Sequence, residues 1–299
     1  MKLKKVAAID VGSNAVRLLI SNVVINKGKQ PTFTKNAMIR VPIRLGQDSF
    51  TVGEISKRNR HRMIDAMKAF RLLLKIHNVD TYMACGTSAL REANNSQKLV
   101  KKIKKETGIK IDIIDGRREA EIIASSELYD LMKPDKAYLY VDVGGGSTEL
   151  TVFSKGSILA SKSFKIGTVR LLNKMVSEDV WSQLRLWISK HTHALENVAV
   201  VGSGGNINKL FKLSGKKYGT PLTYIYMNDQ YELLNKMSYD TMISDLHLNP
   251  DRADVIVPAT RIYLMAMKYS GAAHIHVPKI GLADGMVKLL YKEKSTKKS

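Results

Sequence analysis

Cysteine is almost absent from this chain of 299 residues, because Cys85 is the only one. An intrachain disulfide is therefore impossible, and nothing indicates an oxidising compartment. Cys85 lies in the apolar run TYMACG, which predicts a buried small side chain rather than a nucleophile. The seven histidines give no zinc pattern either, since their pairs spaced by two lack a cysteine or carboxylate partner at zinc-site spacing.

Long hydrophobic runs are also lacking. No segment approaches the roughly 20 apolar residues that a membrane-spanning helix needs. The amino-terminal MKLKKVAAIDVG has a basic start, but Asp10 interrupts its apolar stretch well short of a signal-peptide core. We therefore expect no membrane partner and a cytoplasmic location.

Negative charge is scarce relative to positive charge. The chain has 48 Lys and Arg against 27 Asp and Glu, a formal net charge of +21. A surface of this sign attracts polyanions without choosing among nucleic acid, nucleotide and polyphosphate. Nucleic acid is disfavoured, because no RNA- or DNA-binding motif is visible and the aromatic residues do not cluster among the basic runs.

What the chain does contain is a duplicated stretch. IDVGSNAVRLLI, near the start, is echoed 132 residues later by VDVGGGSTELTV, so that Asp10 falls on Asp142 and Arg17 on Glu149. Each copy consists of two apolar strands joined by a glycine-centred turn that follows a carboxylate. The echo predicts two related domains.

Glycine turns of this kind suit phosphate, because a residue without a Cβ lets backbone amides converge on a phosphate oxygen. A carboxylate at the end of the entering strand can hold hydrated Mg²⁺ beside those phosphates. Asp10 and Asp142 occupy that position. A single such hairpin is equally well read as a tight β-turn, but two copies with matched carboxylates favour phosphate binding. The candidate phosphate-binding residues are Gly12, Ser13 and Asn14, and Gly144, Gly145, Gly146, Ser147 and Thr148.

A third strand, glycine turn and helix follow in VAVVGSGGNINKLFKLSG. The amides at such a helix start can bind a nucleotide or a second anion. A glycine-rich turn before a helix is also common for packing alone, so both interpretations stand here. The candidate residues are Gly202, Ser203, Gly204, Gly205 and Asn206.

Hydrophobic periodicity predicts an α/β fold. A helix at 96–107 should stop at Gly108, and another at 177–196 should bury a stripe through Val180, Leu184 and Trp187. Strands are expected at 6–11, 15–25, 32–40, 79–85, 109–115 and 136–165, directly before the third glycine turn, and near His274. Further helices are expected at 53–77 and 117–132.

Seven motifs occur in an order that resembles the exopolyphosphatase and guanosine pentaphosphate phosphohydrolase (Ppx/GppA) family, over about residues 6–290. They are IDVGSNAVRLLI, GTSALREANN, IIDGRREAEII, VDVGGGSTELTV, KIGTVRL, VGSGGNINKL and GLADGMVKLL. The resemblance implies two ribonuclease-H-like α/β domains of the actin-like ATPase and sugar-kinase superfamily, facing across a cleft.

The expected domains are residues 1–123 and 124–299, with the last helix packing back on the first. The chain looks like a short form without the carboxy-terminal HD-type domain of larger relatives. A homodimer is compatible with the resemblance.

The same resemblance implies roles for single residues. Glu119 looks like the catalytic carboxylate that activates water, whereas the residue taken alone reads as a solvated helix glutamate. Asp142 and Glu149 resemble the acidic pair that positions metal and water. Arg17 and Arg91 look like phosphate ligands, with surface ion pairs as the alternative. Arg170 matches a recurring position without a role that chemistry can supply.

Arg117 and Arg118 make this site edge more basic than is usual in the family, which favours longer or more charged substrates. The leading hypothesis is therefore an exopolyphosphatase that uses Mg²⁺ and releases orthophosphate from inorganic polyphosphate. The alternatives are a guanosine pentaphosphate (pppGpp) 5′-phosphohydrolase, a kinase working in reverse, and a non-catalytic nucleotide or polyphosphate sensor.

Overall fold

A computed structural model describes residues 1–126, 136–278 and 280–296. The chain forms two compact units: Met1–Ser126 together with Leu282–Ser299, and the described residues of Glu127–Gly281. The domain boundary predicted after residue 123 assigned the last helix to the second domain. The same prediction expected that helix to pack on the first domain. The structure groups that helix with the first unit.

The first unit is built on a mixed sheet in the order β3-β2-β1-β4-β5. Neighbours among β1, β2 and β3 are antiparallel, whereas β4 and β5 run parallel to β1. The strands are β1 (Lys2–Val11), β2 (Val16–Ile25), β3 (Thr32–Val41), β4 (Thr81–Gly86) and β5 (Asp112–Ile113). The helices are α1 (Leu45–Val52), α2 (Lys57–Ile76), α3 (Ser88–Glu92), α4 (Ser96–Thr107) and α5 (Gly116–Ala124).

The second unit repeats this topology in the sheet order β10-β11-β9-β6-β7-β8. An antiparallel meander, β6 to β8, is again followed by parallel strands, β9 and β11, with β10 added at the edge. The strands are β6 (Tyr138–Val143), β7 (Thr148–Ser154), β8 (Ser157–Phe164), β9 (Ala199–Ser203), β10 (Leu222–Thr223) and β11 (His274–His276). The predicted duplication is thus a duplication of fold.

Helices of the second unit pack on its sheet or on one another. They are α6 (Thr168–Leu172), α7 (Glu178–Thr192), α8 (Gly205–Leu213), α9 (Tyr224–Lys236), α10 (Tyr239–Ser244), α11 (Pro250–Ala253) and α12 (Ile256–Ser270). The last helix, α13 (Leu282–Thr296), packs against β1, β2, β4 and α5 of the first unit. None of the helices in the described ranges is both long and apolar enough to cross a bilayer.

Three helix predictions need correction. The helix expected at 53–77 begins later, at Lys57, because Gly53 adopts φ 81° as the cap that ends the unpredicted α1, and Ser56 then caps the start of α2. The helix expected at 117–132 spans Gly116–Ala124, and 127–135 lie outside the described residues. The helix expected at 177–196 spans Glu178–Thr192; it is buried at Trp181, Leu184 and Ile188, and the expected Val180 and Trp187 pack against the same core partly buried.

The strand predictions hold with shifted ends. Only Asp112–Ile113 of the stretch expected at 109–115 pairs as a strand. The strands at the third glycine turn and near His274 are present, and the helix from Ser96 ends where Gly108 adopts φ 72°. In both sheets, strands buried on both faces supply most of the core, as Ile9 and Leu18 do in the first unit and Leu139 and Leu150 do in the second.

Candidate functional site

In the first hairpin, two charged residues predicted from the sequence lie opposite each other. Asp10, at the end of β1, pairs in register with Arg17 on β2, and the guanidinium Nη1 donates to the Asp10 carboxylate Oδ2 over 2.8 Å. The Asp10 side chain is 7% exposed, whereas that of Arg17 is 34% exposed. One carboxylate oxygen of Asp10 is therefore occupied by Arg17, and this contact uses one nitrogen of the guanidinium.

The turn between these strands is fixed from two sides. The amide of Gly12 donates to the Ala15 carbonyl, which closes the turn, and the hydroxyls of Ser13 and Ser88 share a hydrogen bond of 2.8 Å. The amide of Gly46, in α1, donates to the Ser13 carbonyl over 2.8 Å. The Ser13 side chain thus anchors the turn, and Asn14 lies beside it as the next residue of the turn.

Arg91 is placed against the segment that enters α5. Its backbone amide donates to the Thr87 carbonyl within α3, and its Nη1 donates to the Ile114 carbonyl over 2.7 Å. Ile114 is itself tied to β4, since its amide donates to the Gly86 carbonyl. The guanidinium of Arg91 is therefore held one residue away from the cap of α5.

Glu119 is buried, with 7% of its surface exposed, in the first turn of α5. The helix begins there because Asp115 caps it, its carboxylate accepting from the amide of Arg118 over 2.7 Å. Arg117 and Arg118 lie on the exposed face, where each pairs with Glu121 at 3.3 Å. The two arginines and Glu119 therefore occupy different faces of one helix.

Several charged residues lie near Cys85, at the end of β4. Cys85 pairs in register with Asp10 on one side and Asp112 on the other. Burial, together with the charges of Asp10, Asp112 and Glu119, raises the pKa of the Cys85 thiol to about 12, against a smaller lowering by Arg118. Asp10 and Glu119 thus lie within electrostatic range of one buried thiol, and the predicted burial of Cys85 is confirmed.

Native Cys85 should resist alkylation at about pH 8, because a thiol of such high pKa has almost no thiolate there. Iodoacetamide labelling of the folded protein, read by mass spectrometry, should leave Cys85 unmodified. The protein unfolded in guanidinium serves as the control and should label completely. Labelling of the folded protein at the rate of the unfolded chain would contradict the prediction.

The second hairpin carries two carboxylates in place of the ion pair. Asp142 pairs in register with Glu149, as Asp10 pairs with Arg17. The Glu149 carboxylate is buried, and its Oε1 accepts hydrogen bonds from the hydroxyls of Ser147 at 2.6 Å and Ser163 at 3.0 Å. Hydroxyl donors stabilise the ionised form of a buried carboxylate, so these contacts orient Glu149.

The turn of this hairpin has its carbonyls tied down. The amides of Thr168 and Val169 donate to the carbonyls of Gly144 and Gly145 over 3.0 and 2.9 Å. The buried Nε of Arg170 donates to the Gly146 carbonyl over 2.7 Å. Three consecutive carbonyls therefore point at the start of α6, which gives Arg170 a structural role that the sequence did not show.

The amides of Gly145 and Gly146 have no acceptor among the residues that the structure describes. Gly167 permits the segment before α6 to approach the turn closely, because a Cβ there would lie 2.3 Å from the Gly145 carbonyl oxygen. The Thr148 hydroxyl is used internally, donating to the Ile166 carbonyl over 2.6 Å. The turn thus offers backbone amides rather than side chains to an anion.

The third glycine turn serves packing and positioning together. A Cβ on Gly202 would lie 2.8 Å from the Ile275 side chain and 3.0 Å from that of Ile207, so this glycine accommodates close packing on the sheet. Gly204 adopts φ 115°, where its Cβ would lie 3.5 Å from Asp142 Oδ1. Asp142 and the third turn are therefore neighbours.

The other candidates of this turn are partly engaged. The hydroxyl of Ser203 donates to the Ile280 carbonyl over 2.9 Å. A Cβ on Gly205 would lie 3.1 Å from Nη2 of Arg252, which places a guanidinium at the start of α8. Asn206, the next residue of that first turn, is partly exposed.

Sequence reasoning missed Tyr263, which is fully buried in α12. Its hydroxyl donates to the Ser203 carbonyl, and burial together with the Asp142 charge raises its pKa well above the ordinary value. Nothing in the apolar run around Tyr263 signals this contact. Gly46 was also missed, although its contact with the Ser13 turn parallels that of α6 with the second turn.

The donor set fits a hydrated divalent cation better than a fully protein-coordinated one. No group of three or more His, Cys, Asp or Glu side chains in the described part of the chain is arranged to hold a metal ion. Mg²⁺ commonly uses one or two carboxylates, its own waters and substrate phosphates. Asp142, partly exposed at the end of β6, suits that pattern.

Comparison with known proteins gives consistent matches. The model of the Ppx/GppA phosphatase family matches residues 23–293. The bifunctional 3-dehydroquinate synthase/phosphatase of Fusobacterium nucleatum is 28% identical over 296 residues, which is 91% of this chain and 44% of that protein. Exopolyphosphatase 2 of Mycobacterium tuberculosis is 30% identical over 184 residues, covering 60% of this chain and 57% of that protein.

A guanosine-5′-triphosphate,3′-diphosphate pyrophosphatase of Photobacterium profundum is 33% identical over 168 residues, 56% of this chain and 33% of that protein. The chain thus spans about half the length, or less, of these curated relatives. Among solved structures, an exopolyphosphatase from Cytophaga hutchinsonii matches with a TM-score of 0.83 and 26% identity, covering 98% of both chains.

Proposed function

Since the chain belongs to the Ppx/GppA phosphatase family, we propose that it is an exopolyphosphatase, which hydrolyses the terminal phosphoanhydride bond of inorganic polyphosphate. The observation that carries the proposal is Glu119, a buried carboxylate in the first turn of a capped helix, whose charge acts on the same buried thiol, Cys85, as that of Asp10. A carboxylate held in this way has a fixed direction, as a general base requires.

Glu119 is proposed to accept a proton from the attacking water. The water oxygen forms a bond to the terminal phosphorus, the bond from that phosphorus to the bridging oxygen breaks, and the shortened polyphosphate leaves with the electron pair. Orthophosphate is the other product. Phosphoryl transfer depends mainly on positioning and charge stabilisation, so one general base and several groups that donate hydrogen bonds to the phosphates are sufficient.

Phosphate binding is assigned to both hairpins. In the first unit, Arg17 and Arg91 are partly exposed guanidinium groups whose described side-chain contacts, to Asp10 and to Ile114, each use a single nitrogen. In the second unit, the amides of Gly145 and Gly146 are available because the carbonyls of their turn are bound by α6 and Arg170. Backbone amides and guanidinium groups each stabilise negative charge that develops on phosphate oxygens.

A Mg²⁺ ion would be held in the second unit by Asp142 and Glu149, which pair in register, and Asp10 is the corresponding candidate carboxylate on the first hairpin. When bound, such an ion neutralises phosphate charge. The hydroxyls of Ser147 and Ser163 orient Glu149, and the guanidinium of Arg17 orients Asp10.

Polyphosphate is the favoured substrate because the net charge of +21 suits a long polyanion and because two of the similar proteins are named exopolyphosphatases. The alternative is pppGpp 5′-phosphohydrolysis, favoured by the Photobacterium relative and by the third glycine turn, where Arg252 lies beside Gly205. Both reactions cleave a phosphoanhydride bond.

The experiment that tests the proposal measures phosphate release from long polyphosphate, tripolyphosphate and pppGpp, each with Mg²⁺ and with EDTA. We expect release to be fastest from long polyphosphate and to stop in EDTA. Faster release from pppGpp would favour the alternative substrate. Absence of phosphate release from all three substrates would overturn the hydrolase proposal and favour a sensor. Formation of a nucleoside triphosphate from polyphosphate and a nucleoside diphosphate would indicate a kinase.

A further inference from the structure

A basic cleft of about 350 Å³ lies in the first unit between α4 and the chain that forms β5. We propose that this cleft binds the body of a long polyphosphate chain while its end is hydrolysed, an inference that rests on the proposed function. Its lining residues are Gln97, Val100, Lys101 and Lys104 on the helix, and Lys110, Ile111, Asp112 and Ile113 on the opposite wall.

The two walls run alongside each other. Gly108, at φ 72°, ends α4 and reverses the chain, so the segment from Lys110 returns along the helix. From Gln97 to Lys104 the helix rises about 10 Å. The strand wall from Lys110 to Ile113 spans about the same length, also about 10 Å. The cleft is therefore a groove long enough for more than one phosphate unit, rather than a pocket for a single ion.

Positive charge dominates the groove. Lys101 and Lys104 are exposed, and neither has an ion-pair partner among the residues that the structure describes. Lys110 pairs with Asp112 at 2.9 Å, but the two side chains are 67% and 55% exposed, so the pair is weak and easily opened. Three lysines against one carboxylate leave a net attraction for a polyanion.

The groove leads toward the proposed chemistry. Its strand wall ends at Ile113, and the next residue, Ile114, accepts the hydrogen bond from Arg91. Asp115 follows and caps the helix that carries Glu119. A chain lying along the groove would therefore be directed at the segment that carries the proposed base and one phosphate ligand.

The lining favours polyphosphate over nucleic acid. None of the groove residues is aromatic. Single-stranded nucleic acid is usually held by bases stacked on aromatic side chains beside a basic track, and the stacking part is missing here. A simple polyphosphate needs the charges alone.

Binding should be measured in EDTA, where turnover is excluded, with end-labelled long polyphosphate followed by fluorescence anisotropy. The variant is Lys101→Ala/Lys104→Ala/Lys110→Ala. The matched control is Lys27→Ala/Lys29→Ala/Lys57→Ala, which removes the same charge from three other exposed lysines of the first unit. We expect the groove variant to raise Kd on the order of 10-fold at low salt and to lower the salt dependence of log Kd by about two.

Tripolyphosphate should bind both triple variants alike, and Asp112→Asn should tighten binding of the long chain. Equal weakening by the control variant, or none by the groove variant, would overturn the inference. A single-stranded oligonucleotide that binds as tightly as polyphosphate, and is lost in the groove variant, would reassign the groove to nucleic acid. Loss of long-chain binding in a protein that releases no phosphate would keep the groove and reject the proposed hydrolysis instead.

Discussion

Glu119→Gln should lower kcat for phosphate release from long polyphosphate by about 10²- to 10⁴-fold, the usual contribution of a general base. Glutamine has nearly the shape of glutamate but cannot accept the proton of the attacking water. Because Glu119 is buried in the first turn of a helix capped by Asp115, the substitution should leave the backbone in place. Steady-state phosphate release, with KM determined separately, measures the effect.

Glu121→Gln is the matched control, since the same substitution is made two residues along α5. Glu121 is 45% exposed and contacts only the side chains of Arg117 and Arg118 in its described ion pairs. Its activity should stay within about twofold of the native chain, since exposed ion pairs contribute little. Equal activity of Glu119→Gln and Glu121→Gln would remove Glu119 from the chemistry, whereas loss in both would point to damage to the helix.

Gly285→Ala should lower the free energy of unfolding by about 1–3 kcal/mol, as expected for an overpacked contact. A Cβ on Gly285 would lie 2.0 Å from the carbonyl oxygen of Ile122 and 2.7 Å from its carbonyl carbon, both backbone atoms of α5. Backbone cannot swing aside, so α13 must move away from α5. The sign is informative, because glycine to alanine within a helix otherwise stabilises by about 0.5–1 kcal/mol.

Urea unfolding followed by circular dichroism measures this prediction. Gly281→Ala serves as the control, because a Cβ at Gly281 would meet only the Ser203 hydroxyl, at 3.7 Å. The activity of Gly285→Ala should fall as well, since α5 carries Glu119. A Gly285→Ala protein at least as stable as the native chain would show that the close approach of α13 and α5 is not required.

Much of the fold was predictable because it rests on local signals. The two hairpins follow from apolar strands joined by glycine turns, and their register places Asp10 opposite Arg17 and Asp142 opposite Glu149, as the internal echo implied. The end of α4 follows from Gly108, whose left-handed conformation suits a residue without a Cβ.

The rest depends on contacts between distant segments. The helix α1 was missed because it is one short element between Arg44 and Gly53, and its start is fixed by contact with the Ser13 turn rather than by a side-chain cap. The roles of Arg170 and Tyr263 likewise come from carbonyls that only the folded chain brings to them. Glu119, which taken alone in the sequence looks like a solvated helix residue, is buried in the folded chain.

The return of α13 to the first unit bears on how this chain folds during synthesis. All described segments of the second unit are continuous in sequence apart from short gaps, so that unit can fold as it emerges from the ribosome. Most of the first unit is synthesised earlier, yet β1 and α5 can pack against α13 only after α13 has been translated. The Lys35–Asp284 ion pair at 2.8 Å and the Phe33–Tyr291 ring contact at 5.7 Å then form across most of the chain length. The unit that is synthesised first is therefore completed last.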